Sequence, residues 1–155
     1  MSDALEVGKP VPDVSLVSDK GETVALSDFK DKQAVVLYFY PKDDTRGCTI
    51  EACSFRDLSA DFAEKGAVIL GVSPDDTESH VNFRDKFSLP FPLLSDPNGN
   101  VAQRFGIWVE KNRDGNKYMG VERTTIVIGK DGNVKKLFPN VDVDGHVEEV
   151  LAALD

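Results

Sequence analysis

Positive charge is in deficit in this sequence: 18 Lys and Arg stand against 27 Asp and Glu, a formal charge of −9. Nucleic acid and anionic membrane both require a positive surface, so neither is an expected partner. No stretch approaches the roughly 20 apolar residues of a membrane span. The opening MSDALEVGKP lacks the basic-then-apolar pattern of a secretory signal. Repeats, low-complexity tracts and an obvious linker are absent as well, which leaves one domain over residues 1–155. With 41% hydrophobic residues that domain has material for a real core and is expected to fold alone. A cytoplasmic, reducing compartment fits these features, and there a disulfide is transient and catalytic more often than permanent.

Histidine and cysteine are scarce too, with two of each. There is no C-x-x-C pair of the kind a simple disulfide reductase uses. Both cysteines, Cys48 and Cys53, fall in one stretch, PKDDTRGCTIEACSF, with four residues between them. As a staple the pair is weak, because closing so short a loop stabilises by only about 2 kcal/mol. A soft-metal carrier built from Cys48, Cys53 and either His80 or His146 is a rival reading. His80, in line with Phe83 and Phe87, and His146, ahead of apolar helix residues, read instead as structural.

What is present reads as alternating α/β. DVSLVSDKGETVAL, residues 13–26, is two short strands around Asp19-Lys20-Gly21, and AVVLYFY, residues 34–40, is a strand buried on both faces. Residues 49–66 have helical spacing with a glycine stop, and AVILGVS, residues 67–73, is a second buried strand. A helix over 76–88 capped by Asp76 or Thr77, a short helix at NVAQRFG, a hairpin over 124–138 and a terminal helix complete the chain. WVEKNRDGNKYMG, residues 108–120, reads as a polar turn whose aromatics could meet a reductant. The order implies a central mixed β-sheet flanked by helices on both faces, thioredoxin-like in outline.

On that outline Cys48 falls at or within the first turn of the helix that follows the strand ending at Pro41. The first amides of a helix lack internal partners and carry the positive end of its dipole, so an anionic sulfur is favoured there. A free thiol has a pKa of about 8.5, and helix N-termini or cationic neighbours bring it to about 7 or below. Cys48 is therefore the candidate nucleophile. Cys53 lies about 7.5 Å further along the axis and about 140° around it. A disulfide needs Cα atoms closer than about 7 Å, so these two thiols cannot bond inside one regular helix. Cys48 shares its face with Ala52, Phe55 and Phe62, whereas Cys53 points towards Asp57 and Glu64. Their union requires the first turns to unwind.

The run YPKDDTRGCTIEACSFRD resembles the active-site signature of the peroxiredoxins, and its cysteine spacing is similar to that of the peroxiredoxin Q, or bacterioferritin comigratory protein, subfamily. KYMGVERTTIVIGKDG is similar to a second signature, in which an arginine precedes a strand and hairpin. The resemblance implies a thioredoxin-fold thiol peroxidase without metal or organic cofactor. In it Cys48 is peroxidatic and Cys53 resolving, Thr45, Arg123 and Pro41 shape the peroxide pocket, and thioredoxin or a similar dithiol protein is the reductant. A monomer or weak dimer is implied as well. Thr45 offers a hydroxyl that both donates and accepts, Arg123 a permanent cation with several donors, and Pro41 a wall without an N–H. Without the resemblance these are equally a helix cap, a surface residue and a strand terminator. One position departs from the pattern: Arg46 stands where the family usually has proline. This loosens the loop and adds a cation two residues from Cys48.

Overall fold

The computed structural model describes residues 5–154, so the first four residues of the opening segment lie outside it. The strands are β1 Ser15–Ser18, β2 Thr23–Ala25, β3 Ala34–Phe39, β4 Ala67–Ser73, β5 Leu93–Ser95, β6 Trp108–Arg113, β7 Asn116–Val121, β8 Thr124–Ile128 and β9 Val134–Phe138. The α-helices are α1 Arg46–Asp57, α2 Ser59–Glu64, α3 Thr77–Phe87, α4 Asn100–Arg104 and α5 His146–Ala152.

Seven strands form one sheet in the order β2-β1-β5-β4-β3-β8-β9. β3 pairs parallel with β4, β4 parallel with β5, and β8 antiparallel with β3, so the sheet is mixed, as the alternation implied. The apolar runs divide strictly by parity. Val35, Leu37 and Phe39 enter one core with Leu70, Val72, Ile126 and the α4 residues Val101 and Ala102. Val36, Tyr38 and Tyr40 enter a second core with Phe55, Phe62, Phe83, Val147 and Val150, contributed by α1, α2, α3 and α5. A period of two along strands buried on both faces is the reason AVVLYFY carries no polar residue.

Three expectations change. Residues 49–66 are two helices, because the chain leaves helical geometry at Leu58, with φ −105° and ψ 9°. The Leu58 amide still donates to the Ser54 carbonyl at 3.3 Å and closes the last turn of α1, and the next helix starts at Ser59. β5, within FPLLSD, is a strand between β4 and β1 that the sequence reading passed over. Residues 108–120 are no simple turn: β6 and β7 form a separate antiparallel hairpin around Asp114 and Gly115, both at positive φ. Asp-Gly with two positive φ values is the signal of a two-residue hairpin turn, hidden here by polar residues along both strands. Asp76, not Thr77, caps α3, accepting from the Ser79 amide at 2.8 Å.

Candidate active site

β3 ends in the middle of the sheet and delivers the chain through Pro41 into a short loop, from which α1 starts over the second core. Thr45 is the N-cap residue, with extended φ −92° and ψ 159°, but no side chain caps the helix. Its hydroxyl donates instead to the Lys42 carbonyl at 2.9 Å, closing the loop on itself. The first amides of α1 are thus left uncapped by any side chain. Cys48 is the third residue of the helix and is 1% exposed. Ala52, Phe55 and Phe62 share its buried face, while Cys53 is half-buried on another. Both thiols are free.

Arg123, just before β8, reaches across to this first turn. Its Nη2 donates to Cys48 Sγ at 3.3 Å, and its Nη1 donates to Glu51 Oε1 at 2.7 Å. Gly47 leaves room for this crossing, since a Cβ there would stand 3.1 Å from Arg123 Nη2 and press on the guanidinium. Burial works against the Arg123 charge, but Glu51 and the Cys48 sulfur outweigh it and raise its hold on the proton. The cation is therefore permanent beside the sulfur.

Glu51 is the residue that sequence reasoning missed. It is fully buried, and burial, opposed by Arg123, lifts its carboxyl from 4.5 to about 7. Its second oxygen, Oε2, has no hydrogen-bond partner among the described residues and faces His146 Nε2 at 3.9 Å. That nitrogen shares a 2.8 Å hydrogen bond with Thr125 Oγ1, and burial, aided by Arg123, holds the imidazole down at about 4, hence neutral. The buried Tyr38 hydroxyl, stacked behind α1 on Phe55 at 4.6 Å, also lacks a partner among the described residues. Burial, then Glu51 and Cys48, push its ionisation far up, so it stays neutral. The signal for Glu51 was present: positions 48, 51, 52 and 55 form one helical stripe, and a carboxylate in an apolar stripe demands a buried cation.

The other side of the loop is held by a second polar cluster. Asp43 accepts from Tyr40 Oη at 2.6 Å and from Ser79 Oγ at 2.8 Å, and its Oδ2 lies 2.7 Å from His80 Nδ1. The other His80 nitrogen faces the Leu94 carbonyl at 3.0 Å, and the Asp43 amide donates to Asp75 at 2.7 Å. Asp43, Asp75 and His80 are close enough to suit a cation, but their atoms are already engaged with one another and with the loop. His80 and His146 therefore each have an internal partner, and neither forms a ligand cluster with the two cysteines among the described residues.

In front of the loop lies a cavity of about 700 Å³. Pro41, Lys42 and Thr45 form one wall, and the β6–β7 hairpin, through Trp108, Lys111, Tyr118 and Met119, forms the other. Pro41 and Thr45 thus face one space, whose lining does not include Cys48 or Arg123. Arg46, the first residue of α1, is exposed and has no hydrogen bond or ion pair among the described residues.

A sheet-borne loop that presents a buried thiol to a guanidinium at a helix start defines a class of thiol oxidoreductase. Residues 7–137 match the AhpC/TSA family. The chain is 51% identical over 150 residues to peroxiredoxin Bcp of Bacillus subtilis, covering 97% of this chain and 95% of that one. It is 48% identical over 151 residues to the putative peroxiredoxin bcp of Coxiella burnetii, covering 97% and 99%. A solved structure of Xanthomonas campestris bacterioferritin comigratory protein, described for alkyl peroxide reduction, superposes with a TM-score of 0.88 at 37% identity, covering 96% and 97%. The chain belongs to the AhpC/TSA family, within its peroxiredoxin Q / bacterioferritin comigratory protein branch, and has the thioredoxin fold of those peroxiredoxins. It is a peroxidase oxidoreductase that reduces peroxides with a thiol.

Proposed function

We propose that Cys48 is the peroxidatic cysteine, Cys53 the resolving cysteine, and that hydrogen peroxide and organic hydroperoxides are the substrates. The observation that carries the reading is the 3.3 Å contact from Arg123 Nη2 to Cys48 Sγ in the first turn of α1. A guanidinium donor and the positive end of the helix dipole thus meet at this sulfur. The thiolate attacks the terminal peroxide oxygen, the O–O bond breaks, and the departing alkoxide or hydroxide takes a proton to leave as alcohol or water. Cys48 becomes a sulfenic acid. In this reading Arg123 and the remaining lone pairs of Thr45 hold the peroxide in line, and Arg123 stabilises charge growing on the leaving oxygen. Pro41 closes the wall without adding a donor.

Resolution follows when the Cys53 thiol displaces water from the sulfenic acid to form an intramolecular disulfide. With Cys48 buried and Cys53 on a different face of α1, the first turns open before the sulfurs meet. A dithiol protein such as thioredoxin then reduces the disulfide, giving up two electrons and becoming the disulfide itself. We read the chain as one domain working in the reducing cytoplasm as a monomer or weak dimer, without metal or organic cofactor. Stopped-flow consumption of hydrogen peroxide coupled to thioredoxin tests this. Cys48→Ser should abolish turnover, and Cys53→Ser should keep one turnover while losing recycling. Full activity in Cys48→Ser refutes the proposal.

A further inference from the structure

The cavity in front of the catalytic loop is charged against the grain of the molecule. The chain as a whole carries −9, yet Lys42, Lys111 and Arg113 line this cavity against a single carboxylate, Asp114. Between the cations lie apolar and aromatic surfaces, those of Trp108, Tyr118 and Met119. Tyr118 and Met119 are 47% and 51% exposed, which is unusual for side chains of that size.

Lys111 is the cation best placed to act. It is half-buried in the middle of β6, paired in register with Tyr118 of β7. Its stem crosses Gly120, with Cδ and Cε lying 3.4 and 3.6 Å from where a Cβ on that glycine would stand. Gly120 thus leaves room for the Lys111 stem to lie along the hairpin that walls the cavity. Asp114 is the one carboxylate in the cavity lining, and the Lys111 ammonium group has no hydrogen bond or ion pair among the described residues. Burial and the neighbouring Arg123 weaken its hold on its proton, while the Cys48 sulfur and Glu122 act in the opposite sense. Lys111 lines the same cavity as Pro41 and Thr45 of the catalytic loop. A cation without a protein partner, set among apolar walls, is available to an anionic group that enters the cavity.

We propose that Lys111 is a specificity-determining residue that binds the anionic group of organic hydroperoxides, so that the cavity selects carboxylated over neutral peroxides of the same shape. The inference rests on the peroxidase reading above. The apolar body of such a substrate lies between Trp108, Tyr118 and Met119, its carboxylate pairs with the Lys111 ammonium, and its hydroperoxy group crosses Pro41 and Thr45 to Cys48. Lys111 takes no part in bond making.

The test compares two substrates that differ only in charge, cumene hydroperoxide and its ring-carboxylated analogue, by the second-order rate of Cys48 oxidation in stopped flow. The readout is the ratio of the two rates, in which any change in the thiolate itself cancels. The wild-type protein should prefer the carboxylate by about fivefold to tenfold, and added salt should reduce that ratio. Lys111→Met should bring the ratio to about one, Lys111→Glu should invert it, and Lys111→Arg should retain most of it. A wild-type ratio of one, or a preference that survives in Lys111→Met, overturns this inference while leaving the peroxidase standing. Failure of Cys48 to react with either substrate overturns this inference, and failure with hydrogen peroxide as well overturns the peroxidase reading too.

Discussion

Two buried polar clusters flank the loop between β3 and α1, and they follow opposite rules. Around Asp43 the partners are matched: Tyr40, Ser79 and His80 all meet its carboxylate, and its amide meets Asp75. Around Arg123 they are not. The guanidinium is divided between Glu51 and a sulfur, Glu51 Oε2 has no partner among the described residues, and the Tyr38 hydroxyl nearby is in the same position. Each unpaired buried group costs about 1–3 kcal/mol. A matched cluster resists change and so suits a scaffold, here one that fixes the loop carrying Pro41 and Thr45. A mismatched cluster has spare bonding capacity, which is what a site needs if it is to meet a substrate whose charge shifts during reaction.

Crossed deletions give the largest test of that contrast. Arg123→Ala should slow Cys48 oxidation by peroxide about 10²–10³-fold in stopped flow. Asp43→Ala should lower unfolding free energy by about 2–4 kcal/mol in urea, since Tyr40, Ser79 and His80 lose their acceptor together. Its effect on the oxidation rate should be within tenfold. A reversal, with Asp43 dominating the chemistry and Arg123 only the stability, breaks the comparison.

The next effect is a pH dependence. Glu51 binds its proton more tightly folded than unfolded, with its carboxyl raised from 4.5 to about 7. Between those values the native state holds more protons than the unfolded chain, so this group's contribution to stability is complete below pH 4.5 and is lost as pH rises through about 7. The loss is at most about 3 kcal/mol. His146 acts in the opposite direction, because its native value falls from 6.5 to about 4 and its contribution is lost as pH drops through that range. Glu51→Gln separates the two. Compared with wild type, the variant should gain relative stability between pH 4.5 and 7.5, measured by urea unfolding at each pH. Parallel profiles for the two proteins would remove Glu51 as the titrating group.

The smallest expected effect lies at Arg46. It occupies the first helical position, where proline has no amide bond to lose, and Thr45 before it already has the extended backbone that proline imposes on its predecessor. Arg46→Pro should therefore stabilise the protein by about 0.5–1 kcal/mol in thermal unfolding. Destabilisation would show that Arg46 has a partner in the folded ensemble.

Much of this site was legible before any coordinates. Unbroken apolar runs announced strands buried on both faces, and a cysteine between a strand-ending proline and an amphipathic helix announced a thiol at a helix start. Arg123 was reached only through the resemblance of two distant segments, because 75 residues separate it from Cys48 and no local pattern links them. Glu51 was passed over, although its place in the stripe of Cys48, Ala52 and Phe55 marks it as buried. The β6–β7 hairpin was missed because its strands alternate weakly, most of their side chains being exposed, so pairing and the Asp114-Gly115 turn define it rather than burial. The break at Leu58 is a departure in the backbone angles of one residue, which composition does not encode.

The central claim is that Cys48 meets peroxide within an intact helix and meets Cys53 only after that helix opens. Hydrogen exchange of residues 48–56 in the dithiol and disulfide forms tests it directly. The account predicts slow exchange while both thiols are reduced and markedly faster exchange once they are joined. Equal protection in the two redox states would contradict it.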